Sequence, residues 1–310
     1  MGNVFVLPTC LKPLNQTLLP TSFIEMPLMR TIKQIHSAEY RPIDDLVTYS
    51  PLPTARLKQV DPFLFLNHHG PQTYPPHNRG LPFGPHPHRG METVTFIIEG
   101  EITHKDTGGH ESIIKTGGIQ WMTAGRGLVH AEVSSEQFKQ EGGHLEILQL
   151  WLNLPRRLKM TEPAYQGFQE AEIPAFISED GGIRVQVISG EFEGVQGGYQ
   201  SLTDVHLSTL HLKQGASLSL SIPTERNIFL YVVRGKVVVN KTQATMYQLV
   251  EFNNDNPALQ LESSEDAIVI LGHAVPFNEP VVAYGPFVMN SQAEIQQAYQ
   301  DYQQGKFGSF

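Results

Sequence analysis

From "DPFLFLNHHGP" (61–71) onward, glycine and proline cut the chain into short apolar runs, and this limits the folds open to it. "METVTFIIEGEITHKDTGG" (91–109) reads as two strands about Glu99-Gly100, then a turn. "GGIQWMTAGRGLVHAEV" adds a second glycine-bounded pair, and "HLEILQLWLNLP" (144–155) is a strong strand. A second series begins near 171 and includes "IRVQVISGEF", "DVHLSTLHL", "SLSLSIP", "RNIFLYVVRGKVVVN", "QLVEF", "ALQLESS" and "AIVILGH". Many short strands with regular turn signals predict an all-β sandwich or barrel rather than an α/β fold. The only convincing helix is "SQAEIQQAYQDYQQGKFG", which Ser291 caps, with Glu294 three residues later and Gly305 at its end.

The two series repeat each other weakly. "METVTFIIEGEI" and "RNIFLYVVRGKV" each set a strand before a charged-residue–glycine turn and a further strand. The boundary is expected near 165–172. Residues 1–55 then form an N-terminal arm with a strand at "MRTIKQIHSA", 56–170 a first domain, and 171–310 a second that carries the helix. A chain of 310 residues fits two domains better than one.

With 22 Lys and Arg against 31 Asp and Glu, the net charge of −9 argues against direct nucleic-acid binding, which needs phosphate neutralisation. Cys10 is the single cysteine, so no intrachain disulfide forms, and a reducing, cytoplasmic setting is expected. The opening "MGNVFVLPTCLKPLNQTLLP" lacks a basic start and an unbroken apolar segment, and Val6 stands where a myristoylation signal has Ser or Thr. No stretch approaches the roughly 18 apolar residues of a membrane span.

Histidine supplies the chemistry. In "GPHPHRG", His86 and His88 are two apart, and in "GLVHAEV" so are His130 and Glu132. Residues two apart on a strand point to one side, so two neighbouring strands can aim four donors at one point. Three imidazoles and a carboxylate suit Fe, Mn, Co, Ni, Cu or Zn, with one or two positions left for water or substrate. Glu92 competes with Glu132, since it follows His88 by four residues and shares its face if the strand is regular. Periodicity does not choose between them. His206 and His211 are an odd number apart, and with His273 they form no such constellation.

"GPHPHRGMETVTFIIEGEITHKD", "GGIQWMTAGRGLVHAE" and "EPVVAYGPFVMNSQAEIQQAYQDYQQGKFG" resemble signatures of the pirin family, a branch of the cupin superfamily, over about residues 56–308. The resemblance implies two cupin barrels, with a mononuclear metal in the first and none in the second. Carried over, the family's ligands fall on His86, His88, His130 and Glu132, which favours Glu132 over Glu92 and leaves Glu92 beside the pocket. His68, His69 and His77 are then loop histidines off the ligand positions, and Trp121 and Met122 are packing residues. Gly125 and Gly127 make a tight turn.

The family further implies Fe(II) and a dioxygenase that cleaves a flavonol such as quercetin with dioxygen. Glu132 is either a lasting ligand or the base. The alternative that the same resemblance carries is an iron-dependent, redox-responsive regulator that binds protein partners.

Overall fold

The computed structural model describes residues 1–2 and 28–310; Cys10, Val6 and most of the expected N-terminal tail lie outside them. Each half of the chain folds into a seven-stranded and a four-stranded antiparallel sheet laid face to face. In the first half the seven-stranded sheet runs, in spatial order, through 164–168, 119–123, 91–99, 143–153, 63–74, 48–52 and 39–40. Its partner sheet is 83–88, 128–133, 101–106 and 111–115. The second half repeats the plan, with 32–37, 248–252, 227–234, 267–274, 206–212, 183–189 and 175–177 facing 217–221, 258–263, 236–239 and 242–245. The architecture is therefore all-β and two-barrelled, and the repeat read from the sequence is real. Gly100 and Gly235 occupy its two equivalent turns, both at positive φ (90° and 78°).

Alternation along the strands divides the side chains between two environments. In the second barrel Leu230, Val232, Val185, Val187, Leu210 and Val269 point inward and fill the interior with aliphatic carbon. The intervening Phe229, Tyr231 and Ile270 point outward, where they meet Val94, Phe96, Trp121, Leu148 and Leu150 of the first barrel. The two large sheets thus bury their outer faces against each other. Phe63 stacks on Phe229 with centroids 5.1 Å apart, and Trp121 on Tyr199 at 4.3 Å.

The seam also holds a buried polar chain. His68 donates through Nε2 to Glu146 (2.8 Å) and accepts at Nδ1 from the Tyr231 hydroxyl (3.0 Å). Arg234 closes the chain on Glu146 and also donates to Glu99 (2.7 Å). A register shift between Val232 and Arg234 turns that arginine out of the barrel parity and onto the seam. His68 and His69 are consequently not loop residues: both lie inside the Phe63–Tyr74 strand, and only His77 sits in an exposed turn.

The ends of the chain cross between the barrels. Strand Ile32–Ser37 pairs with Gln248–Phe252 of the second barrel. The C-terminal helix, Gln292–Gln303, is capped by Ser291 as expected and contributes Ile295 and Ala298 to a cluster with Val129 and Phe307 on the first barrel. A second helix, Glu136–Glu141, was not anticipated: its six residues are too few for a period to show, and only the Ser135 cap marks it. Among the described residues, no helix is long and apolar enough to cross a membrane.

Two seam substitutions separate packing from hydrogen bonding. Trp121→Ala is expected to cost about 3–5 kcal/mol in urea unfolding, the usual range for emptying a large buried aromatic site. Tyr231→Phe removes one partner of His68 and is expected to cost about 1–2 kcal/mol. Equal costs would mean that the polar chain contributes as much to the seam as the packing does.

Candidate metal centre

The site lies inside the first barrel, between its two sheets. Strand Leu128–Val133 runs antiparallel to Phe83–His88 and sets His130 opposite His86. The ring centroids of His86 and His130 are 4.3 Å apart, and those of His88 and His130 are 5.0 Å apart. One ring nitrogen from each of His86, His88 and His130 lies within 4.8 Å of the others. The His86/His88 pair and His130 therefore reach one place.

The backbone fixes which nitrogen each ring presents. His86 donates from Nδ1 to the Gly84 carbonyl (2.8 Å), and His88 from Nδ1 to the Pro286 carbonyl (3.0 Å). Each is thereby held in the tautomer that leaves a lone pair on Nε2. The buried Nε2 of His88 has no hydrogen-bond partner, nor has either ring nitrogen of His130. Unpartnered polar atoms at such depth are costly, and a cation that accepts these lone pairs removes the cost. Burial first, then the neighbouring histidines, lowers the His88 pKa to about 3 and places that of His130 well below its ordinary value. The His88 and His130 rings are neutral at pH 7, the state in which imidazole binds metal.

Glu132 is placed differently from the three histidines. A bulge between His130 and Glu132 shifts its register, and it groups with His130 and His104 rather than with all three of His86, His88 and His130. Thr95 donates to Oε1 at 2.9 Å, and the side-chain amides of Gln120 and Gln149 donate to Oε1 and Oε2. Those amides are oriented in turn: Tyr165 Oη donates to the Gln120 carbonyl oxygen (3.2 Å) and Trp151 Nε1 to that of Gln149 (3.0 Å). A carboxylate surrounded by aimed donors is held in one place.

Glu92 is excluded from this site. His88 ends a strand of the small sheet, and Arg89-Gly90 turns the chain into the large sheet before Glu92. The four-residue parity assumed a strand that does not continue. Thr95, three residues on, faces Glu132 across the barrel, so Glu92 points the other way, to the seam with Val94 and Phe96. There it accepts from Thr123 Oγ1 (2.6 Å), and burial raises its carboxyl pKa to about 7. It is not beside the metal pocket.

The sequence reading missed His104. It lies opposite Glu132 on the adjacent strand and stacks on Tyr165 at 3.9 Å. Its Nε2 donates to Asp106 (3.0 Å), which leaves Nδ1 without a partner. Burial pushes Asp106 up, but hydrogen bonds from His104 and His110 outweigh it and bring the carboxyl down to about 2. "THKD" is itself an i,i+2 pair, and that spacing was the available signal.

The C-terminal segment braces the His88 turn from outside. Besides the Pro286 carbonyl on His88, Val288 N donates to Arg89 O (3.0 Å), and Arg89 donates to Asp301 (2.8 Å) while lying over the Phe307 ring (4.6 Å). The buried Lys159 ammonium binds Gly90 O, Asn153 Oδ1 and Val288 O, each at 2.9 Å. Gly90 has φ +79°, and a Cβ there would fall 2.1 Å from Val288 O, so only glycine fits.

In the second barrel, His206 and His273 face each other at 4.7 Å, but Arg226 donates to His273 Nδ1 (2.7 Å) and His206 contacts Asp204 (3.2 Å). His211 is apart from them, bonded to Gln186. A guanidinium in the pair opposes a cation there.

A two-barrelled cupin with this donor set in one barrel is a mononuclear metal-binding protein. The family comparison agrees: the pirin sequence model matches residues 45–152, and that of the pirin C-terminal cupin domain matches 207–308. The chain belongs to the pirin family. A pirin-like protein of Solanum lycopersicum is 40% identical over 81% of this chain and 84% of its own length. One of Caulobacter vibrioides is 39% identical over 83% of this chain and 91% of its own. A crystal structure of quercetin 2,3-dioxygenase from Acinetobacter baumannii superposes with a TM-score of 0.85 at 34% identity, covering 91% of this chain and 99% of that one.

Two predictions follow from burial and bracing. In the metal-free protein, the unfolded chain takes up protons at His88 and His130 below about pH 6.5, whereas the folded chain does not. Stability is therefore complete above that pH and falls as pH drops toward the folded value, by about 1.4 kcal/mol per unit per histidine. Urea midpoints from pH 7.5 to 5 should show this slope; a flat line would mean that the folded rings already carry protons. Asp301→Ala should loosen the His88 turn, so that amide exchange at Gly90 and Val288 quickens while that at Leu230 and Val269 does not. Uniform quickening would show global destabilisation instead.

Proposed function

We propose that this chain is an Fe(II)-dependent dioxygenase that opens the central ring of a flavonol such as quercetin, with His86, His88, His130 and Glu132 as the metal's protein ligands. The observation that carries the histidine ligands is the convergence of three imidazole nitrogens, two of them in tautomers fixed by the Gly84 and Pro286 carbonyls, while Glu132 rests on its grouping with His130 and on the pirin resemblance. The substrate class rests on likeness to the Acinetobacter baumannii quercetin 2,3-dioxygenase. When bound, the metal supplies Lewis acidity that lowers the pKa of the substrate hydroxyl and brings substrate and dioxygen together.

The chain's own residues do the rest. Glu132 accepts the proton of the flavonol 3-hydroxyl at a carboxylate oxygen, and Gln120 and Thr95 at Oε1 and Gln149 at Oε2 keep the carboxylate aimed. The stacked His104–Tyr165 pair forms an aromatic wall on that side. His86 is the least buried of the three histidines, so substrate enters past it.

Elemental analysis of protein reconstituted with Fe(II), Mn(II), Co(II), Ni(II), Cu(II) or Zn(II), paired with oxygen uptake on quercetin, tests the reading. His86→Ala, His88→Ala and His130→Ala are each expected to weaken metal binding at least about tenfold. Glu132→Gln is expected to lower both metal affinity and turnover, while Glu92→Gln leaves both near wild type. Full metal retention in the histidine variants would sink the ligand set. Metal binding with no quercetin turnover in any form would refute the flavonol assignment and favour the iron-dependent regulator.

A further inference from the structure

Two fully buried histidines of the first barrel lack partners and lie side by side. His130 has neither ring nitrogen engaged, and His104 has Nδ1 unengaged. Their ring centroids are 5.5 Å apart, with planes inclined at 47°. His130 belongs to two donor groups, one with His86 and His88 and one with His104 and Glu132, and in each the donor atoms lie within 4.8 Å of one another. An imidazole that gives one nitrogen to a metal carries a proton on the other, and a buried N–H needs an acceptor. His86 and His88 meet that need at the Gly84 and Pro286 carbonyls. His130 has no such carbonyl.

Counting donors and acceptors selects its partner. Glu132 already accepts from Thr95 and Gln120 at Oε1 and from Gln149 at Oε2, which leaves one of its roughly four acceptor positions for the role proposed above. Asp106 lies opposite His130 in the strand register, but both its oxygens are engaged. Oδ1 accepts from the backbone N–H groups of Gly108 (2.8 Å) and His110 (3.1 Å), and Oδ2 accepts from His104 Nε2 (3.0 Å). A carboxylate only accepts, so this last bond keeps the proton on Nε2 and a lone pair on Nδ1. His104 Nδ1 and Glu132 therefore cannot bond each other, since both offer lone pairs. The group in this cluster with a proton to give is the second nitrogen of a metal-bound His130.

We propose that His104 is a positioning residue of the metal centre: its Nδ1 accepts the N–H of metal-bound His130, and Asp106 holds it in the tautomer that can do so. This rests on His130 being a metal ligand. Tyr165, stacked on His104 at 3.9 Å with planes 10° apart, fixes the plane in which Nδ1 points. His110, itself partly exposed, braces Asp106 from outside through Nδ1 (3.1 Å). The negative charge of Asp106 reaches His130 through two hydrogen bonds and makes it a stronger donor, so a residue that never touches the metal tightens its hold.

Zinc affinity, together with NMR of the full chain labelled with ¹⁵N-histidine and loaded with Zn(II), tests the proposal. In the wild-type protein the His130 ring N–H is expected to exchange slowly and to show scalar coupling across the hydrogen bond to His104 Nδ1. His104→Phe keeps a ring against Tyr165 and removes the acceptor. It should weaken Zn(II) binding about tenfold or more and free the His130 N–H to exchange. Asp106→Asn is the sharper variant. The two backbone donors hold the amide oxygen at the Oδ1 position, so its NH₂ faces His104 Nε2 and moves the ring proton to Nδ1, against the N–H of His130. It should cost as much as His104→Phe, and the double variant no more than either alone. Unchanged zinc affinity in both single variants, additive losses in the double one, or a wild-type spectrum without the coupling would overturn the proposal. A His104 nitrogen resonating as a zinc-bound imidazole would make it a further ligand and overturn it equally. Failure of the wild-type chain to bind zinc would remove the ligand set itself, and the proposal with it.

Discussion

The bracing of one turn, His88-Arg89-Gly90, underlies the geometry of the whole first barrel. At this turn the chain leaves the small sheet and enters the large one, so it sets where His88 points and which face of the next strand looks inward. The turn cannot hold itself. Gly90 adopts a backbone conformation with little intrinsic preference, and its Gly90 and Val288 carbonyls converge on one buried ammonium, that of Lys159. The C-terminal segment supplies the outer half of the brace through Pro286, Val288, Asp301 and Phe307. Because those residues arrive only after the second barrel has been traversed, the metal-side turn is completed by the end of the chain. The second barrel is thus joined to the site by covalent continuity, although its own interior holds no donor cluster of this kind among the described residues.

The two barrels show how one topology serves two purposes. Both pair a seven-stranded with a four-stranded sheet, and both repeat a strand–glycine turn–strand unit. In the second, inward positions are Leu, Val and Ile, and the core closes on itself. In the first, the inward face of the large sheet carries Thr95, Gln120 and Gln149, with Glu132 and the histidines opposite. Such an interior forgoes much hydrophobic stabilisation. The compensation lies outside the barrel, in the apolar seam that buries the outer face of the same sheet against the second barrel. The second barrel is in this sense a packing partner for a polar one.

What could be read from the sequence was what depends on local spacing. Strand–turn alternation gave the all-β class and the repeat, and the i,i+2 spacing of His86 and His88 gave a pair that meets His130. Spacing failed where the chain changed sheet between its ends. His88 and Glu92 keep an even separation, yet a positive-φ glycine lies between them and sends Glu92 to the seam. His68 resembled a loop residue because it adjoins His69, Gly70 and Pro71, whereas its partners Glu146 and Tyr231 are remote in sequence. The Pro286 carbonyl was beyond reach for the same reason: a backbone atom has no residue identity to mark it.

The arrangement of Glu132 turns on this division between local and remote information. Its proximity to His130 follows from adjacency on one strand, but its oxygens are set by Gln120 and Gln149, whose amides are oriented by Tyr165 and Trp151. Tyr165 sits on the strand that ends the first half of the chain, stacked on His104. Carboxylate, amides and aromatic groups therefore form a connected set in which each hydrogen-bond direction is dictated by the next group outward. A glutamine in place of Glu132 would present an NH₂ group to at least one of the two amide donors, and the set has no spare acceptor to receive it. The carboxylate is consequently required by the donor count of its neighbours, and that requirement holds even when no metal is bound.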